Sequence, residues 1–83
     1  MNCIGRFEID ADLIRESPEV VRAVLAGCIP VMVDFLFDSN RIEYVAYNDK
    51  FDPIPLDHEV PRYVPHIDVL SDGQFRVRWF LKI

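Results

Sequence analysis

The segment Gln74 to Ile83 alternates without a break: Phe75, Val77, Trp79, Leu81 and Ile83 on one set of positions, Gln74, Arg76, Arg78, Phe80 and Lys82 on the other. A period of two sends the two sets to opposite faces of a β-strand, one wholly apolar and one basic with a single phenylalanine. Such a strand must pair its backbone and cover its apolar face, which already commits the chain to a sheet. Ser71-Asp72-Gly73 just before it is hairpin-turn chemistry, so its partner is the extended segment Tyr63 to Leu70, despite Pro65.

The same pattern recurs upstream. Val31, Val33, Phe35 and Phe37 alternate with Met32, Asp34, Leu36 and Asp38, and Asp38-Ser39-Asn40 supplies turn residues. Arg41 to Tyr47 then returns with Ile42, Tyr44 and Ala46 on one face, completing a second hairpin. Cys3 to Ile9 alternates too and reads as a half-buried strand.

One stretch departs from period two. Asp10 offers an N-cap to a short helical turn with Leu13 and Ile14. Ser17-Pro18-Glu19 then places a capping hydroxyl, a proline at the first helical position and an acid near the positive end of the helix dipole. Val20, Val21, Val24, Leu25 and Cys28 draw one apolar stripe along that helix, with Gly27 as its expected C-terminal cap and Pro30 barring continuation. Asn48 to Arg62 has no sustained period and carries Pro53, Pro55 and Pro61. It reads as an irregular excursion pinned to the body by Phe51, Ile54, Leu56 and Val60.

The expected architecture is α+β: a single two-layer domain over residues 1–83, in the order strand, helix, strand, strand, strand, strand. An antiparallel sheet of four to five strands carries one main helix on one face. The other face is expected to gather Arg6, Glu8, Asp34, Glu43, Arg76, Arg78 and Lys82, with the arginines held in cross-strand charge pairs.

Composition narrows function more by exclusion than by indication. The chain has 83 residues, 51% of them hydrophobic, with no apolar window of the ~18 residues that a membrane span requires. Met1 to Glu8 lacks the basic-then-apolar pattern of a secretory signal, and a cytoplasmic location is expected. Cys3 and Cys28 sit in apolar settings and read as free thiols. The net charge of −5 is uneven, with seven acids against two bases over residues 34–59 and four bases against two acids over 60–83. Direct binding to a phosphate backbone is not expected from such a balance.

Catalytic chemistry finds little to use. The histidines are His58 and His66. Asp57-His58-Glu59 looks chemical, but neighbours in an extended chain point apart and do not converge on one substrate atom. The glycines at 5, 27 and 73 are isolated and make no phosphate loop. No enzyme activity, cofactor or metal site is expected.

The expected function is therefore a non-catalytic protein-binding module that presents an acidic, aromatic-bearing surface to a protein with a basic face. Its contact set is Asp34, Asp38, Glu43, Tyr47, Asp49, Asp52, Asp57 and Glu59, with Tyr44 as a further anchor. A narrower expectation is a small inhibitor or modulator of nucleic-acid-handling host machinery, of the phage or mobile-element type; it rests on size, acidity and lack of motifs alone. The alternative is an assembly subunit, a homodimer in the simplest case, that self-associates through a strand edge.

Overall fold

The computed structural model describes residues 3–55 and 57–82. Leu56, expected to help pin the excursion, and Ile83, the last apolar position of the final strand, lie outside the described residues, as do Met1 and Asn2. The chain runs β1 (Ile4–Asp10), α1 (Ala11–Glu16), α2 (Pro18–Leu25), β2 (Ile29–Leu36), β3 (Arg41–Tyr47), β4 (Tyr63–Val69) and β5 (Phe75–Leu81).

Local chemistry sets the helix ends, though not always as expected. The Asp10 carboxylate accepts the Asp12 N–H at 2.9 Å and caps α1. Ser17 serves both helices through its backbone. Its N–H donates to the Leu13 carbonyl at 2.8 Å, while its own carbonyl accepts from Val20 at 3.0 Å. Its hydroxyl makes no capping bond. With φ −141° and ψ 64°, Ser17 is the pivot between two short helices rather than a simple N-cap. Gly27 is likewise not a left-handed cap, since Gly73 is the only positive-φ glycine among the described residues. A Cβ at Gly27 would stand 3.4 Å from Asn48 Nδ2, an ordinary contact.

The strands form two antiparallel sheets, a three-stranded one in the order β1-β3-β2 and the separate hairpin β4-β5. This corrects the expectation of one sheet of four to five strands beneath one main helix. The physical reason lies in the excursion over residues 48–62. It delivers the chain to β1 in parallel at a single bridge between Arg6 and Arg62, where the Arg6 N–H donates to the Pro61 carbonyl at 2.9 Å. Proline flanks that bridge and has no N–H of its own to extend the ladder, and β4 continues with β5 instead.

The core is built where these pieces meet. Phe7 and Ile9 of β1, Tyr44 and Ala46 of β3, and Val21 and Val24 of α2 enclose it together with Phe51 and Tyr63. Phe7 stacks on Tyr44 with centroids 5.3 Å apart and meets Trp79 edge-on at 4.8 Å. Offset and T-shaped aromatic contacts of this kind add to the burial of the rings themselves. α1 packs on β1, and α2 packs on β4 and β5. At eight residues α2 is about 12 Å long, too short to cover five strands. The strand left uncovered is β2.

Candidate functional site

β2 reads Ile29-Pro30-Val31-Met32-Val33-Asp34-Phe35-Leu36, and seven of its eight residues are exposed. Val33 and Phe35 stand opposite Tyr44 and Ile42, on the face that is core in β1 and β3. Yet Val33 is 56% exposed and Phe35 41%. Phe37 follows at 84%, its ring edge-on to Phe35 at 4.7 Å. Val31 is 53% exposed at the start of the strip, and on the outer face Ile29 and Met32, opposite Tyr47 and Val45, are each more than half exposed as well. The expected inward face of this hairpin is thus an apolar strip beyond the reach of the helices. A soluble chain seldom leaves such a strip together with a free strand edge.

The outer edge of β2 is also open in its backbone. The Asn48 N–H donates to the Cys3 carbonyl and the Ala11 N–H to the Asn40 carbonyl, both at 2.9 Å, continuing the β1–β3 register at each end. Hydrogen-bonded pairs alternate along an antiparallel ladder, so the even-numbered residues of β3 bond to β1 and the odd-numbered ones to β2. Glu43 and Val45 therefore hold Asp34 and Met32. Val33 and Phe35 are left with N–H and C=O pointing away from the sheet. Towards its start the edge is interrupted by Pro30, which has no N–H, and by a bulge between Pro30 and Met32.

The acidic residues expected to form the contact surface are scattered by comparison. Asp38 is exposed on the β2–β3 turn, and Asp49, Asp52, Asp57 and Glu59 are exposed along the excursion. Tyr47 is 38% exposed at the end of β3. Tyr44 is only 8% exposed, its ring committed to Phe7, so it offers no outward anchor.

Glu8, Glu43 and Asp34 stand in a row across the three strands on the outer face of the sheet. Like charges directly opposite one another repel. Arg62 relieves the first two by reaching both Glu8 and Glu43 at 3.3 Å, and Arg41 adds a bond to Glu8 at 3.0 Å. Glu43 is thereby occupied within the chain. Among the described residues Asp34 makes no ion pair and remains exposed beside the free edge.

Arg76 and Arg78 are not on that face. They converge on Asp68 within the β4–β5 hairpin, at 3.2 Å and 2.7 Å. Hydrogen bonds from Arg78 first, and then Arg76, hold the Asp68 carboxyl below the usual carboxylate range. Arg78 also lies 5.5 Å from the centre of the Phe80 ring, which packs edge-on against His66 at 4.6 Å.

A cleft of about 290 Å³ opens where β4 leaves β1, lined by Arg6, Arg41, Arg62 and Lys82 together with Glu8. Much of its positive charge is already answered by Glu8 and Glu43. Cys28 accepts a hydrogen bond from Asn48 Nδ2 at 3.3 Å, and burial pushes its thiol pKa up, which disfavours the reactive thiolate. Both cysteines are free. Among the described residues no three His, Cys, Asp or Glu side chains come together as a metal site would require, and no helix is long and apolar enough to cross a membrane.

Sequence periodicity gives this strand an apolar face without showing whether anything covers it. The missed signal was one of area: two short helices cannot roof both hairpins, and some apolar strand had to remain bare. No protein-family model, no curated protein and no solved structure matches the chain.

Proposed function

We propose that this chain is a non-catalytic protein-binding module that docks through the β2 edge. One observation carries the reading: a strand whose outward backbone groups and apolar side chains, Val33 and Phe35 above all, are uncovered together. A strand added to this edge would gain main-chain hydrogen bonds and bury alternate side chains, the combination used in β-strand addition. Asp34 and Asp38 rim the strip and would favour a partner with a basic flank. The remaining exposed acids of the excursion supply a negative field that speeds encounter with a basic surface, slows encounter with an acidic one and does not fix register.

Partner capture with two sets of variants separates the strand from the field. Val33→Lys removes apolar area at the centre of β2. Reversing Asp49, Asp52 and Asp57 to lysine changes the field and leaves the strand untouched. A partner lost with Val33→Lys and only weakened by the triple reversal supports docking through β2. A partner indifferent to Val33→Lys but lost with the triple reversal returns recognition to the acidic surface.

A further inference from the structure

We infer that the occupant of the β2 edge is a second copy of this chain, paired antiparallel across a two-fold axis at Val33. The inference rests on the reading of β2 as the docking element and adds the identity of the partner and its register.

Backbone parity permits only some registers. Val33 and Phe35 present their N–H and C=O groups outward, so they must form the hydrogen-bonded pairs of any added antiparallel ladder. With Val33 against the partner's Val33, Phe35 falls against the partner's Val31, and the reverse pair forms by symmetry. The Val33 pair makes two new backbone hydrogen bonds, and the two Phe35–Val31 pairs, with Val31 in the bulge, add up to about four more. Side chains on the inner face then meet apolar against apolar. On the outer face Asp34 meets the partner's Met32.

The neighbouring registers are worse for specific reasons. A shift one way sets Asp34 directly against the partner's Asp34, two carboxylates in cross-strand contact. The opposite shift runs Phe35 toward the partner's Ile29, past the bulge and Pro30, where the outward donor is missing. Pro30 and the bulge therefore do not block pairing; they confine it to the stretch from Val31 onward. Asp34 is the only charged residue in β2, so no row of like charges opposes self-pairing in the remaining register.

The area is adequate for a modest dimer. Five side chains of the paired stretch and its turn (Val31, Met32, Val33, Phe35 and Phe37) are each 41–84% exposed. At roughly 100 Å² apiece, a two-fold contact buries about 1,000 Å² in total, at the lower end for a specific interface. A dissociation constant in the micromolar range is the corresponding expectation. Each chain carries a net charge of −5, so the two copies repel at long range and added salt tightens the pair. Docking of a basic partner on the acidic surface has the opposite salt dependence.

Sedimentation equilibrium of the full chain over a range of concentrations, at low and high salt, reads this directly. The mass should rise from 9.7 kDa toward twice that value, and at lower concentration when salt is added. Val33→Lys should weaken the dimer at least about tenfold, with far-UV and Trp79 near-UV spectra unchanged. Met32→Lys sets a lysine beside the partner's Asp34 and makes each chain one unit less negative; it should retain the dimer and lessen the tightening that added salt brings. A chain that stays at 9.7 kDa up to about 1 mM overturns self-pairing, because association that weak has no bearing on function. Docking through β2 survives that result if Val33→Lys still releases a captured partner. A dimer that survives Val33→Lys, or one that Met32→Lys abolishes, places the contact elsewhere or in another register and overturns the inference.

Discussion

The ring of Phe51 lies on that of Tyr63, centroids 4.3 Å apart and planes 15° from parallel. Next to this stack, the Asp52 N–H donates to the Tyr63 hydroxyl oxygen at 3.0 Å. The two contacts tie the irregular excursion to the first residue of β4, so the hairpin is positioned by a loop rather than by a continuous sheet. Phe51 is 2% exposed and also meets Phe7 and Trp79. Phe51→Ala is expected to cost about 3–5 kcal/mol in urea unfolding, the usual penalty for emptying a phenylalanine site in a core. Tyr63→Phe keeps the ring and removes only the acceptor. It should cost about 1 kcal/mol.

Gly5 makes that stack possible. A Cβ at this position would stand 2.7 Å from Tyr63 Cδ2 and 2.8 Å from Phe51, inside contact distance of two rings that are themselves locked together. Neither ring is a flexible side-chain tip that can swing away. Gly5→Ala is expected to destabilise by roughly 1–3 kcal/mol through overpacking, although alanine suits a strand better than glycine does. Equal or higher stability on thermal unfolding would show that the stack can shift.

Both hairpins were legible from the chain because their signals are local. Ser71-Asp72-Gly73 turns with Gly73 at φ 83°, and the cross-strand register pairs Val69 with Phe75 directly beyond it. Phe51 announced itself as an apolar residue within a polar excursion, and it is among the most deeply buried residues. What alternation does not encode is which sheet a strand joins. The separation of β4–β5 from β1-β3-β2 falls at the single bridge between Arg6 and Arg62, where Pro61 has no N–H to extend the ladder. Alternation also shows that a strand has an apolar face without showing whether anything covers it. Phe35 and Tyr44 look alike as members of alternating strands; one is 41% exposed and the other 8%.

Asp68 provides a pH signature for the β4–β5 hairpin. Its carboxyl pKa is lowered by Arg78 and Arg76, so the folded chain holds that proton less readily than the unfolded chain. The resulting stabilisation is fully present above the unfolded carboxylate value and is lost as the pH falls through the folded one. Carbon NMR titration should place Asp68 below a free aspartate. In Asp68→Asn, the part of the acid-induced fall in stability that comes from this group should vanish while the neutral-pH fold persists. An unshifted titration would mean that the two arginines do not hold the carboxylate in solution.

The most direct test of the account is residue-resolved amide exchange along β2. In a dilute, single chain, Asp34 and Leu36 should be protected by their bonds to β3, while Val33 and Phe35 exchange rapidly into solvent. Raising the protein concentration should slow Val33 and Phe35 selectively and leave their neighbours unchanged. Protection at Val33 and Phe35 already present in the dilute single chain would contradict the account, because the edge would then be covered from within and have nothing left to offer a partner.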